Sequence, residues 1–113
     1  MRVIKTIGVL TEGDLDKSLK RPWHTNTCLF ATGLKRQFKH RWLSCGIGTA
    51  TTGAINYDWQ KSNRGRAARL QEKFDRAHGG GNRSTVPKAE RERLKKEIRA
   101  ALPYEFPITI TKD

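Results

Sequence analysis

Hydrophobic and polar positions alternate from Arg2 to Leu10, with Val3, Ile7 and Val9 on one face and Ile4 and Leu10 on the other. With its β-branched content, that alternation predicts a strand. The polar run TEGDLD at 11–16 carries turn chemistry, and a short helical turn at 15–20 is expected before Pro22 stops it. Residues 27–32, TCLFAT, suit a second strand and 42–47 a third, with Gly33 and LKRQFKH as a hairpin loop between them. A helix over 34–43 is the alternative, because Leu34, Phe38 and Trp42 recur at i, i+4 and i+8. Of the two, the strand reading is preferred. The charge-free stretch 46–56, GIGTATTGAIN, reads as an extended or loop segment. It lacks the GKS or GKT ending and the glycine spacing of a phosphate-cradling loop.

The period changes to that of a helix in the second half. Ser62 or Asn63 can cap a helix over 63–78 that Gly79, Gly80 and Gly81 terminate. Ala67, Leu70, Phe74 and Ala77 make its apolar stripe, and Arg66, Arg69, Lys73 and Arg76 make a basic stripe roughly 100° away. The Gly-rich segment 79–85 is expected to be a flexible linker. A second helix should start near Val86 and Pro87, bury Leu94, Ile98, Ala101 and Leu102, and end at Pro103. In the tail, Phe106, Ile108 and Ile110 alternate with Pro107, Thr109 and Thr111, a strand whose proline points to a sheet edge. The predicted fold is α+β: a small mixed or antiparallel sheet, built from the N-terminal strand, the β-rich middle and a C-terminal edge strand, with two amphipathic helices on one face.

Residues 1–113 are expected to form a single domain, and with 35% hydrophobic residues its core must be small. Charge changes the picture more than size does. The 23 Lys and Arg against 11 Asp and Glu give a net charge of +12, which favours an acidic partner. No acidic residue occurs from Lys17 to Tyr57, while Lys17, Lys20, Arg21, Lys35, Arg36, Lys39 and Arg41 all do. Interleaved with them stand Trp23, His24, Phe30, Phe38, His40 and Trp42, so the stretch offers cations for phosphates and rings for bases.

The expected function is non-catalytic binding of DNA or RNA. Its contacts would be Lys20, Arg21, Trp23, His24, Lys35, Arg36, Lys39, His40, Arg41 and Trp42, with Arg66, Arg69, Lys73 and Arg76 on a second surface. An acidic protein surface is the alternative partner. A membrane surface is not expected, since neither candidate helix carries a broad Leu, Phe or Trp face opposite its charges. The N-terminus reaches Glu12 and Asp14 too soon for a signal peptide, and Cys28 and Cys45 are too few for a disulfide scaffold, so a cytoplasmic protein with reduced thiols is expected.

Three patterns point to other chemistry. His24, Cys28, His40 and Cys45 form H-x3-C-x11-H-x4-C, superficially a four-ligand zinc spacing, but without the usual C-x2-C knuckle; no metal or other cofactor is expected. DLDKSLK at 14–20 resembles, over seven residues, the D-L-D-N-x-x-K element of small phage-type Holliday-junction resolvases. That resemblance implies a magnesium-dependent phosphodiester hydrolase using Asp14, Asp16 and Lys20. Lys17 stands where the family pattern has asparagine, and no further carboxylate follows before Asp58. Finally, His24, His40 or His78 beside the arginines could serve a metal-independent ribonuclease as general acid or base.

Overall fold

The computed structural model describes residues 1–20, 28–46, 48–60, 65–77 and 86–113. Its elements run β1 (Arg2–Leu10), α1 (Glu12–Ser18), α2 (Leu29–Phe38), β2 (Ser44–Cys45), β3 (Thr49–Thr52), β4 (Ile55–Asp58), α3 (Arg66–Ala77), α4 (Lys88–Ala100) and β5 (Tyr104–Lys112). The strands form one five-stranded sheet of order β1-β5-β4-β3-β2, every pair antiparallel. The expected α+β class is therefore what the chain adopts.

Of the strand expected over 27–32, Thr27 lies outside the described residues, and residues 29–32 instead form the first turn of α2, with Cys28 at its N-cap. Its residues 29–34 are all buried, so the run that reads as a buried strand is a buried helix segment, two states that periodicity alone does not separate. The helix also stops sooner than the alternative reading supposed: Lys39 takes the left-handed conformation at its C-cap, with φ 61°. The stretch 46–56, expected to be extended or a loop, holds the extended strands of the β3–β4 hairpin, turning at Gly53 and Ala54. Of the strand expected at 42–47, only Ser44 and Cys45 are in β2 among the described residues, and Ile47 lies outside them.

β5 lies between β1 and β4, not at the edge. Pro107 is tolerated there because it faces Ile7 of β1, whose carbonyl points away from β5 to Gln37, and because the β4 ladder ends two residues on, at Asp58 and Thr109. No ladder bond is lost for want of its N–H. The true edge, β1, is partly closed by a side chain. The Gln37 amide accepts from the Val9 N–H at 2.8 Å and donates to the Ile7 carbonyl at 2.7 Å, standing in for a neighbouring strand.

The four helices leave one sheet face uncovered. Outward-facing Val3, Lys5, Ile7, Glu105, Pro107 and Thr51 are exposed, whereas Leu10, Phe106, Ile108, Ile110, Tyr57 and Ala50 of the inner face are buried. Phe30 of α2 stacks on Trp59 with ring centroids 5.1 Å apart and meets Phe106 edge-on at 5.3 Å, tying α2 to the sheet centre. Gly8 makes room for this cluster, since a Cβ there would lie 2.6 Å from the Phe106 ring.

The helices of the second half follow the wheel. Ala67, Leu70, Phe74 and Ala77 of α3 are buried, as are Leu94 and Ile98 of α4. Pro87 is the N-cap of α4. Ala101, expected in the buried stripe, is the exposed C-cap of α4, whereas Leu102 after it is buried as expected. The expected linker at 79–85 lies outside the described residues.

Candidate nucleic-acid interface

Two elements decide where the acid-free segment puts its charges. α1 starts with a capping box: Thr11 Oγ1 accepts from the Asp14 N–H at 3.2 Å, and Asp14 Oδ2 accepts from the Thr11 N–H at 2.9 Å. This buries Asp14 and leaves it facing α2, where Arg36 Nε donates to Oδ1 at 2.9 Å and its terminal nitrogen to Oδ2 at 3.1 Å. The same nitrogen reaches the Val9 carbonyl at 2.7 Å. Arg36, expected on the binding surface, is thus engaged within the protein, joining α1, α2 and β1.

The remaining cations of α1 and α2 have no such partner. Burial, and after it the charge of Lys17, hold the Lys35 ammonium below the ordinary lysine value, which places the two cations near each other. Lys20 is exposed just beyond α1. At the far end of α2, Lys39 and Arg41 are exposed, and among the described residues neither pairs with a carboxylate. Trp42, beside them, is 51% exposed, the largest open ring among the described residues. His40 packs edge-on against Tyr57 and shares a hydrogen bond with its hydroxyl. Burial, then the nearby Lys112, push the His40 pKa down, while burial raises that of Tyr57. Arg2 is the cross-strand neighbour of Lys112. The C-terminal end of α2 and the residues just after it therefore carry Lys39, Arg41 and an exposed indole without an acidic residue, with Lys112 near His40.

Phe38 is not part of this surface, for it packs on Tyr57 at 5.1 Å against the core. Arg21, Trp23 and His24 lie outside the described residues. On α3, Arg66 and Arg69 are exposed without a carboxylate partner among the described residues, but Lys73 and Arg76 cross to α4 and pair with Glu97 and Glu90. The basic stripe expected to stand open is open at its N-terminal half only.

The zinc spacing is not realised by the side chains described. The Cys45 thiol hydrogen-bonds to Cys28 inside the core, holding Cys28 below and Cys45 well above the ordinary thiol value, with burial adding to the rise of Cys45. His40 is turned to Tyr57 instead. Among the described residues no three His, Cys, Asp or Glu side chains converge as a metal site. The carboxylate pair implied by the resolvase resemblance is likewise divided. Positions i and i+2 of a helix point to different sides. Asp14 is buried on Arg36, while Asp16 is exposed and accepts from Arg99 at 2.6 Å, a bond that lowers its pKa. No protein-family model, curated protein or solved structure matches the chain. No helix among the described residues is long and apolar enough to cross a membrane.

Proposed function

We propose that the protein binds nucleic acid without cutting it, and that the C-terminal end of α2 is the principal contact. The observation that carries this reading is the exposed Trp42 beside the exposed Lys39 and Arg41, neither of which pairs with a carboxylate among the described residues. Cations close together repel one another, and a polyanion relieves that repulsion while releasing its own counterions. The indole adds a stacking platform, worth about 1–3 kcal/mol per base and tolerant of sequence. The uncovered sheet face supports no such role: it is threonine-rich, sets Lys5 in one cross-strand row with Thr109 and Asp58, and presents no aromatic side chain among the described residues.

Binding of DNA and RNA oligomers by Trp42→Ala and by a Lys39→Ala/Arg41→Ala variant tests the assignment. Trp42→Ala is expected to weaken single-strand binding by about 1–3 kcal/mol. The double variant should lower the salt dependence by about two contacts on both nucleic acids. Unchanged affinity in both variants would refute the assignment. The same oligomers, incubated with and without magnesium, should remain intact. Cleavage abolished by Asp16→Asn would revive the hydrolase reading.

A further inference from the structure

Away from the α2 end, a groove runs between α3 and α4. Two adjoining cavities form it, of about 200 and 240 Å³, and both are lined by Arg69, Lys73 and Glu97. Together they fall within the size of small-ligand sites, roughly 300–1,000 Å³. The two ends differ in chemistry. Toward Arg76 and Arg93, ion pairs close the groove: Arg93 donates to Glu97 at 2.6 Å, Lys73 lies 3.4 Å from Glu97, and Arg76 meets Glu90. Toward Arg66 and Arg69 the floor is apolar, made of Leu70, Ala101 and Tyr104, the Lys73–Glu97 pair forms part of the wall, and neither guanidinium has a carboxylate partner among the described residues.

Tyr104 is backed by Phe106, stacked at 5.6 Å and 17°, so its ring is held in place as it lines the cavity. A supported ring over an aliphatic floor, with two unneutralised guanidinium groups at the rim, matches the parts of one nucleotide: a flat base and a phosphate. The size agrees, because a cavity of about 150 Å³ accepts a single benzene ring. A paired base, stacked on both sides and joined to its complement, does not present its face to such a pocket.

We propose that this end of the groove seats one unpaired nucleotide, its base on Tyr104 and its phosphate between Arg66 and Arg69. The inference rests on the nucleic-acid reading and extends it. It makes the protein prefer single-stranded or frayed ends over continuous duplex, and it assigns recognition of the unpaired base to Tyr104.

The test uses a 5′-phosphorylated single-stranded tetranucleotide, a duplex of twenty base pairs and a polyglutamate of matched charge. Each is titrated into the whole protein at about 50 mM salt and followed by affinity and by amide NMR shifts. The tetranucleotide is expected to shift the amides of Arg69, Lys73, Ala101 and Tyr104. Its affinity should fall about tenfold or more in Tyr104→Leu and in Arg66→Ala/Arg69→Ala, and persist in Tyr104→Phe, while duplex affinity changes little in Tyr104→Leu. Should Tyr104→Leu fail to fold, the arginine double variant, whose side chains are exposed, decides alone.

Shifts confined to 39–42, with tetranucleotide affinity unchanged in the arginine variant, would overturn the groove and leave the nucleic-acid reading standing. Polyglutamate binding in the groove as tightly as the tetranucleotide, and insensitive to Tyr104→Leu, would replace the nucleotide with an acidic peptide. Binding of none of the three would overturn both readings.

Discussion

Single side chains show where this chain accepts a local cost to hold its charges in place. Lys39 sits in the left-handed region at φ 61° and ψ 48°, where a Cβ costs roughly 1–2 kcal/mol that glycine avoids. Lys39→Gly is therefore expected to stabilise the fold by about 1 kcal/mol, read as a rise of several degrees in Tm, while weakening oligonucleotide binding. A stabilised variant that binds as well as the parent would remove Lys39 from the interface. Asp14 is the opposite case, a buried carboxylate with every partner internal. Asp14→Ala forfeits the cap of α1 and leaves Arg36 without its acceptor, and about 2 kcal/mol or more should be lost in denaturant unfolding, whereas Asp16→Ala should change little. His40 supplies a pH test. Its pKa is lower in the folded protein than in the unfolded chain, so between the two values the unfolded chain holds a proton that the native state lacks. That contribution to stability is complete above the ordinary histidine value near 6.5, and it diminishes as the pH falls through 6.5 toward the lower native pKa. Melting at pH 7.5 and 5.5 should accordingly show a smaller drop in Tm for His40→Gln than for the parent.

Elements were legible in the sequence in proportion to how far their period exceeded their burial. α3 and α4 carry one buried stripe and one wet one, and their cores were readable down to Leu70, Phe74, Leu94 and Ile98. The first six residues of α2 are buried all round, so no wet face marked the helix, and Thr27 to Thr32 resembled a strand. In the β3–β4 hairpin the strands are four residues each, β3 being only threonine and alanine, and they are too short for an alternation to show. The interior place of β5 was hidden for a different reason, since Pro107 signals an edge unless one knows that the β4 ladder stops at Thr109. At the site, the sequence marked the cations but not their pairing: Arg36 faces Asp14 across 22 residues, and Tyr104 was not singled out because a lone tyrosine at a strand start carries no pattern. The packing itself is testable at Gly8. Glycine to alanine in a strand ordinarily helps slightly, yet here the new methyl would meet the Phe106 ring at 2.6 Å inside a filled aromatic cluster. Gly8→Ala should destabilise by about 1–3 kcal/mol in denaturant unfolding, and a neutral result would mean that Phe106 has room to move.

Across the whole molecule the charge is divided by position. Eight of the 11 acidic residues lie on α1, α3 and α4, where six of them pair with cations of the same helices or their neighbours, while α2 and the strands that follow it reach Asp58 without one. The charge is therefore not spread evenly: seven cations and no acid lie from Lys17 to Tyr57, the stretch that carries the exposed Trp42, and the proposed nucleic-acid binding rests on that imbalance. The most direct measurement is the affinity for a single-stranded oligonucleotide as a function of salt, for the parent and for Lys39→Ala/Arg41→Ala. With six or more phosphates neutralised, affinity should fall by roughly three orders of magnitude between about 50 and 200 mM salt, and the double variant should show a slope shallower by about two. A flat salt profile, or no binding at about 50 mM salt, would contradict it.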